Sequence, residues 1–394
     1  MTTYPTYKLG EILSYEQPTN YIVESTEYND SYPIPVLTAG KSFILGYTNE
    51  TSGVYDKLPV IIFDDFTTAS KFVDFKFKVK SSAMKILSCN EEIADIKYMY
   101  YLMQITHIQS DTHKRYWISD YSKIPVNLPP LPTQHAIVSC IETLFAKLDK
   151  AVQHLRTAQQ QIKTYRQAVL NHWLNNDEGK WKKKTAEECV VDENYSLAIG
   201  PFGSDLKVED YTESGVKLVF VRDITSGFED KKNKYVSEFK ADQLKAHNVF
   251  KGDLLITKMG DPPGQTGIFP FDRGVITSDV LRMKTNDNIL NKYYAMYYIL
   301  SSEGGKQIKE MTQGVAQKKI SLGRFKKFIF PIPSISEQQR IVAEIESRLS
   351  QAEAVEASIE KALQQSEALR QSILKKAFGG ELVVSTGSTT ANCI

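Results

Sequence analysis

The chain has 394 residues, which at about 150 residues per domain suggests two or three domains, each with its own core, and excludes a single small scaffold. Its composition, 42% hydrophobic and 24% charged, is that of a soluble globular protein, and 48 basic against 47 acidic side chains leave a formal charge of +1. Bulk charge therefore points to no partner, and any nucleic-acid binding has to come from local basic patches.

The opening MTTYPTYKLGE lacks the basic-then-apolar pattern of a signal peptide, and no run of about 18 apolar residues occurs. A cytoplasmic protein with no membrane partner is expected. Residues 1–133 carry short aromatic and β-branched runs, YPIPVLT, KLPVIIF and FVDFKFKV, followed by a tyrosine-rich helix from about Ile93 to Gln104. Strands first and a helix late predict an α+β domain rather than an alternating dinucleotide-binding sheet.

Residues 134–176 read as one long helix. Ile141, Leu148, Leu155, Ile162 and Val169 recur every seventh residue, with Ile137, Leu144, Ala151, Ala158 and Tyr165 between them, an a/d pattern held for more than four heptads. Residues 177–333 repeat the α+β plan with KLVFVRDI, VFKGDLLIT and GVITSDVLRM, then a helix over about Lys292 to Leu300. A second long helix follows over 334–378, with a looser apolar stripe through Ile341, Ile345, Leu349, Ile359, Leu369 and Ile373, and then a tail over 379–394. Pro129, Pro132 and Pro333 are expected just before the two helices.

The chain is written twice. Gln134, Ile137, Val138, Ile141 and Glu142 recur as Gln338, Ile341, Val342, Ile345 and Glu346, an offset of 204 that also carries Arg166 to Arg370 and the pair Lys114 and Arg115 to Lys318 and Lys319. The aromatic run from Met99 matches Met296 at an offset of 197, so seven extra residues are expected in the second copy. Upstream, PVIIF and DLLIT match only loosely. Two matching amphipathic helices predict an antiparallel coiled coil with the two diverged domains at opposite ends, related by a pseudo-twofold axis.

A search for chemistry finds no Walker loop, nucleophile elbow, H-E-x-x-H or G-x-G-x-x-G. No catalytic residue and no metal site is predicted. Cys89, Cys140, Cys189 and Cys393 stand singly and are read as isolated thiols, and none of the six histidines has ligands at metal spacing. Asp261, Pro262 and Pro263 resemble the Asp-Pro-Pro of adenine methyltransferases, but Gly264 stands where an aromatic would stack on a flipped base, and a turn between strands is the better reading. The basic run Lys318, Lys319, Arg324, Lys326 and Lys327 recurs as Lys114, Arg115 and Lys123; it is either a solvated face or a phosphate and base-edge contact. WKKK at Trp181–Lys184 reads as a linker. Candidate DNA contacts, chosen by polarity in predicted loops, are Thr48, Asn49, Lys114, Arg115, Arg222, Lys258, Gln265, Gln317, Lys318 and Lys319.

LPPLPTQHAIV and FPIPSISEQQRIV, each opening a long helix, with GPFGSDL from Gly200, GDLLIT from Gly252 and KKAFGGEL from Lys375, resemble sequences of type I restriction-modification specificity subunits. The likeness spans essentially the whole chain. It implies an α+β fold of two target recognition domains, 1–133 and 177–333, separated by two long helices forming an antiparallel coiled coil. It also implies a non-catalytic subunit whose domains each read one half of a bipartite asymmetric double-stranded DNA site, while the helices set the spacer and dock two methyltransferase subunits. S-adenosylmethionine, ATP and Mg²⁺ would then be used by the methyltransferase and restriction subunits and not bound by this chain. Two other classes stay open: a self-contained DNA adenine methyltransferase, which would need a methyl-donor motif, and a coiled-coil scaffold, which would tolerate any surface on its globular ends.

Overall fold

A computed structural model describes residues 4–38, 42–106, 115–175, 180–229, 232–260, 262–314 and 318–382. The chain forms two compact units: residues 1–156 with 360–394, and residues 157–359. Each contains one globular region and part of each long helix.

In the first unit four antiparallel strands are ordered Leu13–Glu16, Met84–Cys89, Val60–Asp64, Ser70–Val73. The uninterrupted run Val60, Ile61, Ile62 and Phe63 is buried on both faces because alternate side chains enter two cores. Ile61 and Phe63 join Leu9, Tyr98, Met99, Trp117 and Tyr121. Val60 and Ile62 join Leu37, Tyr55 and Phe77 under a smaller sheet, ordered Ile44–Thr48, Ile34–Leu37, Lys78–Val79.

The second unit repeats the plan. Its antiparallel sheet is ordered Leu197–Ile199, Val280–Met283, Leu254–Thr257, Thr266–Ile268. Leu254 and Ile256 face a core with Tyr294, Tyr298 and Phe330, while Leu255 faces Val219, Phe269 and Ile276. PVIIF and DLLIT, matched only loosely by sequence, therefore occupy the same third position of equivalent sheets. In each unit a short strand at the start of the globular region pairs with one just ahead of a long helix: Thr6–Lys8 with Pro125–Asn127, and Lys182–Thr185 with Ile329–Ile332. The linker reading of WKKK is thus corrected, since three of its residues are ladder residues.

The long helices are Leu131–Leu174 and Ile335–Phe378, 44 residues each, or about 66 Å at 1.5 Å per residue. Pro132, expected before the first helix, lies inside its first turn, where the missing N–H has no intrahelical acceptor to lose. The second helix is capped by Ser334, whose hydroxyl accepts from Glu337 N at 3.3 Å.

Within the first unit Ile141 and Phe145 pack with Ile373, Leu374 and Ala377, and the Arg370 guanidinium pairs with Asp149 while lying 4.3 Å from the Phe145 ring centroid. Within the second, Val169, Leu170 and Leu174 pack with Ile341, Val342 and Ile345, and Arg166 pairs with Glu356 at 2.9 Å and Glu353 at 3.8 Å. Rising numbers on one helix meet falling numbers on the other, so the two pack antiparallel. Arg166 and Arg370, like Asp149 and Glu353, are matched at the 204 offset, so one ion pair occurs in both units.

The apolar seam differs from expectation by one residue. The series Ile141, Leu148, Leu155, Ile162, Val169 and Ile345, Ala352, Ile359, Ser366, Ile373 faces inward. Its companion is Val138, Phe145, Val152, Gln159, Arg166 on the first helix and Leu349, Glu356, Leu363, Arg370, Ala377 on the second, all buried or half-buried. Ile137 and Leu144, one residue off, flank the seam half-buried, whereas Leu369 is 50% exposed and Tyr165 41%. Charged residues at companion positions hide the true register from a hydrophobic count. Two further corrections concern the cysteines and the repeat. Cys89 and Cys189 are free, but Cys140 is disulfide-bonded rather than an isolated thiol. The tyrosine-rich helices Ile96–Met103 and Lys292–Leu300 begin at the N-caps Asp95 and Asn291, an offset of 196, so eight residues and not seven are added in the second copy.

Candidate nucleic-acid interface

Thr48, at the end of its strand, is 2% exposed, and its hydroxyl accepts from Glu50 N at 3.2 Å. Thr48 is thus buried in the loop that polarity singled out, while Asn49 next to it is exposed. The Glu50 carboxylate accepts from Ser25 N at 2.9 Å and Glu24 N at 3.0 Å and pairs with the Lys78 ammonium at 2.8 Å. Burial pushes its pKa up, but the Lys78 bond and the two N–H donors outweigh it and hold the group below the usual carboxylate value.

Arg115 is exposed immediately before the helix Tyr116–Ser119. That helix is held by Asp65: Trp117 N donates to its carboxylate at 2.8 Å and Tyr116 N to its carbonyl at 2.9 Å. Asp65 in turn pairs with Lys85 at 3.2 Å, both side chains almost fully buried. Lys114 and Gln317 lie outside the described residues.

In the second unit Lys258, Gln265, Lys318 and Lys319 come together. Ile320 N donates to Lys258 O at 3.0 Å, and Lys319 bridges to both Met259 and Gln313. Gln265 and Lys318 line a cleft of about 500 Å³ whose floor includes Pro263, Ile299 and Ile308. Pro262, Pro263 and Gly264 belong to the connection between the adjacent strands Leu254–Thr257 and Thr266–Ile268, as the turn reading of that string requires. Gln265, Lys318 and Lys319 are exposed. Lys258 is not: its ammonium donates to Ser278 O at 3.1 Å and lies 4.8 Å from the Phe202 ring centroid. Desolvation lowers its pKa, Asp279 opposes that and Lys319 adds to it. Lys258 thus braces the GPFGSDL loop through Phe202 and, at 7% exposure, is not among the exposed candidates. That loop leaves its strand at Gly200, where a Cβ would lie 2.1 Å from Thr277 C, so only glycine fits. Arg222 sits apart from the cleft lining, on the helix Val221–Thr225, with its guanidinium 4.2 Å from the Phe220 ring centroid and donating to Lys232 O at 2.9 Å.

Of the basic run, Lys326 pairs with Glu187 at 2.7 Å and Arg324 donates to Met311 O at 3.2 Å, while Lys318, Lys319 and Lys327 are exposed. The run is part structural brace and part exposed charge.

Gln134 and Gln338 recur at the 204 offset, and no role follows for them from the sequence. Both are fully buried. Gln134 Oε1 accepts from Asp95 N at 2.8 Å, and its Nε2 donates to Ile93 O at 2.8 Å and Pro129 O at 2.7 Å. Gln338 Oε1 accepts from Asn291 N at 2.8 Å, and its Nε2 donates to Ile289 O at 2.9 Å and Pro333 O at 3.0 Å. The only signal that marked them was repetition at the 204 offset.

Among the described residues no group of three or more His, Cys, Asp or Glu could hold a metal ion, and no helix is long and apolar enough to cross a membrane. Each of the two globular regions is thus joined to segments of both long helices. Residues 1–157 and 206–365 each match the type I restriction modification DNA specificity domain. The chain belongs to that family. Its sequence is 35% identical over 350 residues to the Escherichia coli type I restriction enzyme EcoR124I/EcoR124II specificity subunit, covering 85% of this chain and 84% of that one. It is 30% identical over 274 residues to the Escherichia coli EcoBI specificity subunit, covering 65% and 58%. In fold it resembles the crystal structure of the HsdS subunit from Thermoanaerobacter tengcongensis, with TM-score 0.57, 18% identity and coverage of 97% and 98%. A chain from a structure described as the basis of complex assembly and conformational transition of the type I R-M system gives TM-score 0.71 at 17% identity, covering 96% and 98%. The family's DNA specificity domain thus occurs twice, and the curated relatives are specificity subunits, not methyltransferases, which sets aside the reading of a self-contained methyltransferase.

Proposed function

We propose that this chain is the DNA-reading subunit of a type I restriction-modification complex, in which each globular region reads one half of a bipartite asymmetric double-stranded site. The observation that carries the reading is the double match to the DNA specificity domain, one match for each of two diverged regions built on one strand order. Different half-sites need different side chains at base edges, whereas the helices need a single packing solution, and this accounts for diverged fronts on repeated backs. The antiparallel helices act as a ruler, since a fixed separation of readers becomes a fixed number of unread base pairs. They also dock two methyltransferase subunits, which bring S-adenosylmethionine and flip the target adenines, and restriction subunits use ATP and Mg²⁺. Asn49, Arg115, Gln265, Lys318 and Lys319 are the exposed candidates for DNA contact, with Lys114 and Gln317 adjoining them in sequence.

Mapping methylated adenines in a genome with and without this protein tests the reading. A two-part motif with a constant gap is expected, lost when the gene is removed. A contiguous motif, or no change, would overturn it. Adding a whole number of turns to both long helices should then alter the gap and leave each half-site unchanged.

A further inference from the structure

We propose that Gln134 and Gln338 are positioning residues that lock each globular region onto its long helix at a fixed angle, and so set the stringency with which the gap between half-sites is read. The proposal rests on the two-reader function above.

Each glutamine amide uses both N–H donors and its oxygen. One oxygen accepts the backbone N–H of Asp95 or Asn291, the residue whose side chain caps the tyrosine-rich helix at Tyr98 N or at Tyr293 N and Tyr294 N. The two N–H donors reach the carbonyl two residues earlier, at Ile93 or Ile289, and the proline carbonyl just ahead of the long helix. Three strands of backbone are thereby pinned to one side chain: the entry to the tyrosine-rich helix, the approach to the long helix, and the long helix itself. No other side chain of that length offers an acceptor and two donors; glutamate lacks the donors and methionine lacks both.

A buried apolar residue would fill the same space without fixing direction, whereas a fully satisfied polar network specifies one geometry. The two copies make the point independently. Eight residues are inserted between the tyrosine-rich helix and the long helix of the second copy, yet all three bonds are kept with the equivalent partners. What survives is the mount, while the surrounding loops differ.

The test uses the assembled methyltransferase complex on a DNA library in which both half-sites are constant and the gap varies by one base pair at a time. Wild type, Gln134→Met, Gln338→Met and Gln338→Glu, which keeps the length and the acceptor but turns an oxygen towards the Ile289 and Pro333 carbonyls, are compared, with thermal unfolding of each complex measured in parallel. Val280→Ala, in the buried sheet core, serves as a destabilised control. Preference for the native gap over its neighbours should fall about tenfold in the glutamine variants, as expected when one buried hydrogen-bonded anchor is lost. The half-site sequences should stay unchanged, and Val280→Ala should keep its gap preference at an equal loss of melting temperature. If the glutamine variants melt earlier but discriminate gaps as wild type does, their role is only structural and the proposal fails. A change in half-site bases would equally overturn it, by placing the glutamines on the reading surface. A wild-type complex that recognises no gapped site would sink the two-reader function itself, a result distinct from either.

Discussion

At Glu50, a lysine ammonium and two backbone donors converge on one carboxylate at the edge of the first globular region. In the folded protein this carboxyl is held below the ordinary glutamate value of 4.5. A depressed carboxylate contributes stability that is complete above its unfolded value and is lost as pH falls through the lower folded value. Unfolding of the wild-type protein should therefore ease as pH drops below about 4.5, and Glu50→Gln should flatten that dependence in denaturant titrations at a series of pH values. An unchanged slope would show that the carboxylate is not the titrating group. The Asp65–Lys85 pair is buried outright, so the sign of its mutants follows desolvation. Lys85→Met alone strands a buried carboxylate and should cost about 3–5 kcal/mol, and adding Asp65→Asn should recover much of this, because the Trp117 N–H keeps an acceptor. Thr48 and Lys258 teach a related lesson. Polarity in a loop singles out both, but it does not disclose that the hydroxyl accepts from Glu50 N and that the ammonium donates to Ser278 O.

For the helices, the apolar seam and the ion pairs contribute on different scales. Ile345 is fully buried between the two helices and the tyrosine-rich helix, and Ile345→Ala should cost about 2–5 kcal/mol. Asp149 is 62% exposed in its side chain, and its pair with Arg370 is open to screening. Asp149→Ala should therefore cost less than about 1 kcal/mol, a loss that shrinks further in high salt. Thermal unfolding of both variants at low and high salt separates the two effects; equal losses would mean that the seam is not hydrophobically driven. The heptad count found the helices, their length and one of their two inward series. It missed the other series because Arg166, Glu356 and Arg370 occupy inward positions, and only a partner opposite makes a charge there acceptable. Likewise residue identity favours the 197 offset, which sets Met99, Tyr100 and Tyr101 on Met296, Tyr297 and Tyr298, whereas the helix starts stand 196 apart. The N-caps decide between them, since a hydrogen bond has a fixed partner and an aromatic stripe does not.

Across the whole molecule, the duplicated plan predicts that the two globular regions are separable in function. Substituting the exposed candidates Asn49 and Arg115 should weaken or relax one half-site only, and substituting Lys318 and Lys319 the other, as read by methylation of sites with single altered halves. Each lost phosphate contact should also lower the salt dependence of binding by about one unit of slope. Effects on both half-sites from either set would argue against a division between regions. The sequence by itself determined the duplication, the α+β class, the two helices and their antiparallel pairing, because periodicity and repetition are properties of residue order. Tertiary structure alone decided which polar residues are solvent-facing and which are braces, where the charged positions of the seam meet, and what the repeated glutamines hold. Those depend on the partner that arrives from elsewhere in the chain, and a side chain's chemistry does not disclose who that partner is.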